Sequence, residues 1–121
     1  MTDDQAIENE IQAKGLTAPR VTPDAIEANI SGEYYFTAGQ GVAAAADGVY
    51  AIPESLRLLT FCVLTLRNGF TVTGESACAS PENFDAELGR KLARKNAIDK
   101  VWPLMGYEVK TQVHLRKLAG S

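Results

Sequence analysis

Four cations lie close together in one stretch of the sequence and could bind phosphate groups. Arg90 and Arg94 are four residues apart, and so are Lys91 and Lys95. In a helix this spacing places the four side chains on two neighbouring ridges of one surface. A compact basic patch of this kind can hold a nucleic acid or a nucleotide by its phosphates. Arg90, Lys91, Arg94 and Lys95 are therefore the candidate ligand-binding residues.

A solvated helix face is the alternative interpretation of these cations, and neighbouring acids favour it. Glu87 precedes Lys91 by four residues, and Asp99 follows Lys95 by four residues. Each lysine then has an acid within reach of an ion pair, as is common on exposed helices. The formal net charge of −3 also differs from the basic balance of most nucleic-acid-binding proteins.

Catalysis and metal binding have little support. His114 is the single histidine, and Cys62 and Cys78 are the two cysteines. No motif aligns either thiol with the imidazole, and three such side chains are too few for a Cys/His metal site. We therefore expect a non-enzymatic protein with no catalytic residues, no metal and no cofactor.

A β-hairpin is predicted from Leu58 to Cys78. Asn68-Gly69 is the strongest short signal for a two-residue hairpin turn. That turn places Cys62 opposite Glu75, and Cys62 and Cys78 on opposite faces of the hairpin. We therefore expect no disulfide between the two cysteines.

A long helix is predicted to follow the hairpin and to carry the four cations. It runs from Pro81 to Trp102, with Ser80 as its N-cap. Pro103 and Gly106 are expected to end it. Gly74, on the second strand, would permit close approach of this helix because it has no side chain.

Two short helices are predicted before the hairpin. The first, Asp3 to Lys14, has a thin apolar stripe, so terminal disorder and a partner-binding arm are alternatives. The second, Pro23 to Ile30, begins after the N-cap Thr22, and Gly32 is expected to stop it.

The residues between the second helix and the hairpin give two further predictions. Glu33 to Thr37 is predicted to be a short strand or a packed extended segment. Its three aromatic residues are expected to pack, and stacking on bases is the less favoured alternative. Ala38 to Tyr50 is predicted to be a mobile surface loop with a helical turn at Ala43 to Ala46.

These elements predict an α+β fold. We expect a helix and linker over residues 1–21 that can be mobile, a single α+β domain over residues 22–110, and a tail over residues 111–121. No apolar run reaches the length of a membrane-spanning helix, and the acidic N-terminus does not resemble a secretion signal. A cytoplasmic protein that does not bind membranes is therefore expected.

The sequence resembles a family of small tailed-bacteriophage proteins, named after gene product 49 of one coliphage and gene 66 of a Shigella phage. Five segments carry the resemblance: Lys14–Pro23, Leu59–Cys62, Asn68–Cys78, Ser80–Asp85 and Trp102–Tyr107. The resemblance implies a phage or prophage protein that acts in the cytoplasm of an infected bacterium. It implies no activity and no functional residues.

Three hypotheses of function follow. The first is a non-enzymatic accessory protein that binds and modulates a host protein or a defence system. It could act as a homo-oligomer. The second is a nucleic-acid or nucleotide binder, because Arg90 to Ala97 after a hairpin is similar to the end of a double-stranded-RNA-binding domain. The third is an enzyme built on Cys62 or Cys78.

Overall fold

The structure, a computed structural model, describes residues 3–46 and 51–120. Its elements in chain order are α1 (Asp3–Ala13), α2 (Pro23–Ala28), β1 (Ile30–Thr37), α3 (Ala38–Ala45), α4 (Glu54–Arg57), β2 (Leu59–Leu66), β3 (Thr71–Ala77), a 3-10 turn (Pro81–Asn83) and α5 (Ala86–Ala119). The predicted α+β class is confirmed. The chain divides into two compact units, one of residues 1–29 and 101–121 and the other of residues 30–100. The single domain over residues 22–110 stays a prediction.

The second unit is built on a three-stranded antiparallel sheet in the order β1-β2-β3. Side chains of β2 alternate between buried and half-buried, as expected when one face of a sheet is covered. The covered face, here called the inner face, carries Thr60, Cys62, Leu64 and Leu66 of β2. Glu33 to Thr37, predicted as a strand or an extended segment, is the second part of strand β1.

The hairpin between β2 and β3 forms as predicted, but its register differs by one residue. The Leu66 N–H donates to the Phe70 carbonyl at 2.8 Å, so the turn contains three residues. Gly69, the last of them, has a φ of +89°, which a three-residue turn with a bulge requires. Cys62 therefore pairs with Gly74, and the prediction that it faces Glu75 is wrong.

This register changes the argument about the two cysteines. The Cys78 N–H donates to the Leu58 carbonyl at 3.0 Å, so Cys78 continues the pairing of β3 with β2. Cys62 and Cys78 then occupy positions on the same face of the hairpin, and the prediction that they lie on opposite faces is wrong. Four positions along a strand separate them by about 13 Å, which is still too far for a disulfide. Both are free thiols.

The first half of α5 packs on the inner face of the sheet through small residues. Ala93 and Ala97 are fully buried, and the predicted role of Gly74 is confirmed: a Cβ atom there would collide with the backbone of both alanines. Asn96 joins this contact by donating from Nδ2 to the Glu75 carbonyl at 2.8 Å. Small residues on both elements therefore let the backbone of α5 lie close to the sheet.

The beginning of α5 is later than predicted. Pro81 to Asn83 form a 3-10 turn instead of the first helical turn, and the Ser80 side chain caps nothing. Asp85 performs the predicted role of Ser80, because its Oδ1 accepts from the Leu88 N–H at 3.0 Å.

The end of α5 is much later than predicted. The helix continues through Pro103 and Gly106 to Ala119, so the predicted end at Trp102 is wrong, and residues 111–119, which were predicted as a tail, belong to α5. A proline removes one backbone donor but does not end a helix when good helix formers continue on both sides. The sequence from Leu104 to Leu118 is rich in such residues.

The first predicted helix is confirmed, because α1 covers Asp3–Ala13, but the segments between α1 and the hairpin differ from the predictions. The Thr22 Oγ1 caps α2 as predicted, accepting from the Ala25 N–H at 3.0 Å, but α2 ends at Ala28 because Ile30 begins β1. The prediction of a loop from Ala38 to Tyr50 is wrong for residues 38–45, which form the helix α3. There Thr37 and Gln40 form a reciprocal capping box that begins a helix. Residues 47–50 of that prediction lie outside the described residues.

In the first unit, a buried ion pair joins α1 to the linker that follows it. Only 5% of Glu8 is exposed, and its carboxylate accepts from both terminal nitrogens of Arg20, with Arg20 Nη2 to Glu8 Oε2 at 2.8 Å. Gln12 donates to the same carboxylate at 2.7 Å. These hydrogen bonds, first from Arg20 and then from Gln12, lower the pKa of Glu8 to about 2.

We expect this pair to make the protein less stable in acid. The contribution of ionised Glu8 to the free energy of unfolding is complete above its ordinary pKa of 4.5 and is lost as the pH falls towards about 2. The free energy of unfolding, measured with urea at a series of pH values, should therefore change less over this range for Glu8→Gln than for the wild type. Glu10→Gln is the control, because Glu10 is an exposed acid of the same helix. Equal slopes for Glu8→Gln and the wild type would contradict the expectation.

Candidate functional site

Ion pairs divide the four candidate cations. Lys91 pairs with Glu87 at 3.4 Å and Lys95 with Asp99 at 3.3 Å, as predicted. Arg94 turns towards the sheet, where its Nε donates to Glu33 Oε1 at 2.8 Å. Arg90 is exposed on α5. Because acids accompany three of the four cations, the positive potential of this surface is weaker than the sequence predicts.

Glu33 is the centre of a small polar network beside the inner face. It accepts from the Tyr35 hydroxyl at 2.8 Å as well as from Arg94. Burial disfavours its charge, but the hydrogen bonds from Arg94 and Tyr35 outweigh burial and lower the pKa of Glu33. Burial, and then the hydrogen bond to Glu33, raises the pKa of Tyr35 well above its ordinary value. The network therefore holds an ionised carboxylate and a neutral phenol.

The thiols do not form a nucleophilic site in this arrangement. Cys62 is fully buried, and burial raises its pKa although a hydrogen bond with Tyr35 opposes the shift. A protonated, inaccessible thiol is a poor nucleophile. Cys78 donates from Sγ to the Ser80 carbonyl at 3.2 Å, and His114 is exposed on α5. Within residues 3–46 and 51–120, no group of three or more acids, histidines or cysteines could hold a metal ion.

The opposite face of the sheet exposes aromatic side chains. Tyr34 pairs with Val63 and Phe36 with Phe61 across β1 and β2, and we call these four residues the aromatic face. The rings of Phe36 and Phe61 stack with centroids 5.4 Å apart. Tyr34 is 61% exposed and Phe36 39% exposed. Large apolar side chains grouped on a surface commonly mark an interaction site.

Sequence reasoning missed the aromatic face because it did not predict that β1 pairs with β2. Alternation along a strand separates Tyr35, which points to the inner face, from Tyr34 and Phe36. That period of two was visible in the sequence. Without a partner strand, however, nothing indicated which of the aromatic residues would be covered.

Among the described residues, no helix is both long and apolar enough to cross a bilayer. Neither a curated protein nor a solved structure matches the chain. The model of the Phage protein (N4 Gp49/phage Sf6 gene 66) family matches residues 21–113, which include the sheet and most of α5. The chain therefore belongs to this family of phage proteins.

Proposed function

We propose that this phage protein is a non-enzymatic accessory protein, which acts in the cytoplasm of the infected bacterium by binding and modulating a host protein. The aromatic face is the observation that supports this function. Exposed aromatic residues are enriched where proteins bind each other, and they supply much of the binding energy. The phage family supplies the setting of an infected cell.

The charge distribution around the aromatic face favours a protein partner over a nucleic acid. Residues 34–46 contain no charged side chain, and neither does β2. A nucleic acid needs cations beside the stacked bases because its phosphates supply much of the affinity. The aromatic face itself carries no cation, and the charged side chain beside Phe61 is the acid Glu75. Such a surface is better suited to a protein interface than to the phosphates of a nucleic acid.

The experiment is affinity purification from nuclease-treated host lysate, followed by titration calorimetry with the partner that is identified. We expect Tyr34→Ser/Phe36→Ser to weaken binding at least about tenfold, which corresponds to about 1.4 kcal/mol. Phe70→Ser is the control, because Phe70 is 53% exposed but lies directly after the hairpin turn, outside the aromatic face. Equal affinities of the two variants would exclude the aromatic face as the binding surface.

Nucleic-acid or nucleotide binding through α5 is the second candidate, supported by the exposure of Arg90, Lys91 and Lys95. It requires affinity that falls steeply with salt. It also requires loss of binding in Arg90→Glu/Lys95→Glu, which leaves the Arg94–Glu33 contact intact. Lys14→Glu, an exposed reversal directly after α1, is the control for loss of positive charge away from α5. Binding to duplex RNA that is unchanged by salt and by the double reversal would remove this candidate.

A further inference from the structure

The second half of α5 exposes a row of apolar side chains. The exposed fractions are 39% for Leu104, 79% for Tyr107, 51% for Leu115 and 59% for Leu118. Together with Thr111, these residues are spaced by three, four, four and three positions. On a helix they occupy one sector of about 80°. We call this row the α5 stripe.

The width of the α5 stripe indicates its type of partner. A helix that lies on a membrane surface presents a broad apolar face, whereas a seam between two helices is narrow and is built from spacings of three and four. The α5 stripe has the narrow form, and it contains a threonine at its centre. A second helix is therefore the occupant that its shape fits.

The charges beside the α5 stripe indicate that this second helix is acidic. Lys110 and Lys117 lie along one side of the α5 stripe and the acid Glu108 along the other, while Arg116 is on the far side of the helix. The protein as a whole has a net charge of −3, so this segment is locally basic in an acidic chain. Opposite charges at the rim of a helix pair favour association and select the partner.

Helix α1 has the complementary properties. Asp3 and Glu10 are exposed on it, with Glu10 3.1 Å from Lys14 after its end, and Ile7 is 56% exposed. Asp4 instead accepts from Trp102 Nε1 of its own chain at 3.3 Å. Its other side is occupied within its own chain, where Glu8 is buried against Arg20. The outward side of α1 is thus acidic and partly apolar, and it is available for another molecule.

From this complementarity we infer that the α5 stripe binds α1 of a second copy of the chain. The protein then self-associates through contacts between unlike surfaces, an acidic helix of one copy and a basic helix segment of the other. This inference is independent of the proposed host-binding function, because it uses neither the aromatic face nor a host protein.

Charge reversal with mixing tests the inference on the full chain, with mass measured by sedimentation equilibrium. Lys110→Glu/Lys117→Glu makes both surfaces acidic, and Asp3→Lys/Glu10→Lys makes both basic, so each variant alone should associate at least about tenfold more weakly than the wild type. Mixed in equal amounts, the two variants again present opposite charges, and association should return. Circular dichroism verifies that both variants keep the helical content of the wild type.

Leu115→Ser/Leu118→Ser is the control, because it weakens the apolar contact without changing charge. Its association should be weak and should not be restored by mixing with Lys110→Glu/Lys117→Glu, whereas Asp3→Lys/Glu10→Lys, which keeps an intact basic stripe, should restore a contact with its acidic α1. A wild type that stays monomeric at all protein concentrations would overturn the inference. So would reversals that leave the mass unchanged, or a mixture that does not recover the mass of the wild type.

Discussion

Replacing Gly74 with alanine is expected to lower the free energy of unfolding by about 3 kcal/mol, the upper end of the usual cost of overfilling a packed core. The added Cβ would lie 2.9 Å from the Cα of Ala97 and would also meet the Ala93 carbonyl. Both obstacles are backbone atoms of α5, which cannot rotate away as the end of a side chain can. Either α5 moves off the sheet, or β3 distorts.

Gly106→Ala is the matched control, because the chemical change is identical and the surroundings are open. Gly106 lies inside α5, and apart from the neighbouring backbone of that helix no atom lies within 4 Å of the position of an added Cβ. Alanine there should raise the free energy of unfolding by roughly 0.5–1 kcal/mol through its helix propensity. Urea unfolding followed by circular dichroism measures both variants. Changes of the same sign would contradict the close contact at Gly74.

The sequence predicts the parts of the fold that depend on neighbouring residues. The turn at Asn68-Gly69, the cap at Thr22 and the ion pairs of Lys91 and Lys95 are all local, and all of them form. Even here the turn contains one residue more than expected. Because side chains alternate along a strand, that one residue shifts the pairing of β3 with β2. Each side chain of β3 then lies on the opposite face of the hairpin from the one predicted.

The parts that the sequence did not reveal depend on contacts between distant residues. Arg94 was predicted to join the basic patch, but it contacts Glu33, which is 61 positions away. The aromatic face likewise requires the pairing of β1 with β2. An apolar run can be assigned to a strand from its composition, but the covered side depends on partners that local patterns do not encode.

Pro103→Ala is expected to raise the free energy of unfolding by about 2 kcal/mol. A proline in a helix interior costs about 3 kcal/mol relative to alanine, because it lacks a hydrogen-bond donor and its ring crowds the carbonyl four residues earlier. In α5 that carbonyl belongs to Asp99. About 1 kcal/mol of the gain should be lost, because alanine leaves the unfolded chain more flexible than proline does.

Urea unfolding of Pro103→Ala, followed by circular dichroism, measures this change, and amide hydrogen exchange shows where it acts. Exchange should slow around Trp102 to Met105, since the new N–H of residue 103 can donate to the Asp99 carbonyl. Ala119→Pro is the contrasting variant, because a proline at the last residue of α5 disturbs little of the helix. If α5 instead ended at Trp102, Pro103 would stabilise that end. Pro103→Ala would then lower the free energy of unfolding, so the sign of the change distinguishes a continuous helix from an interrupted one.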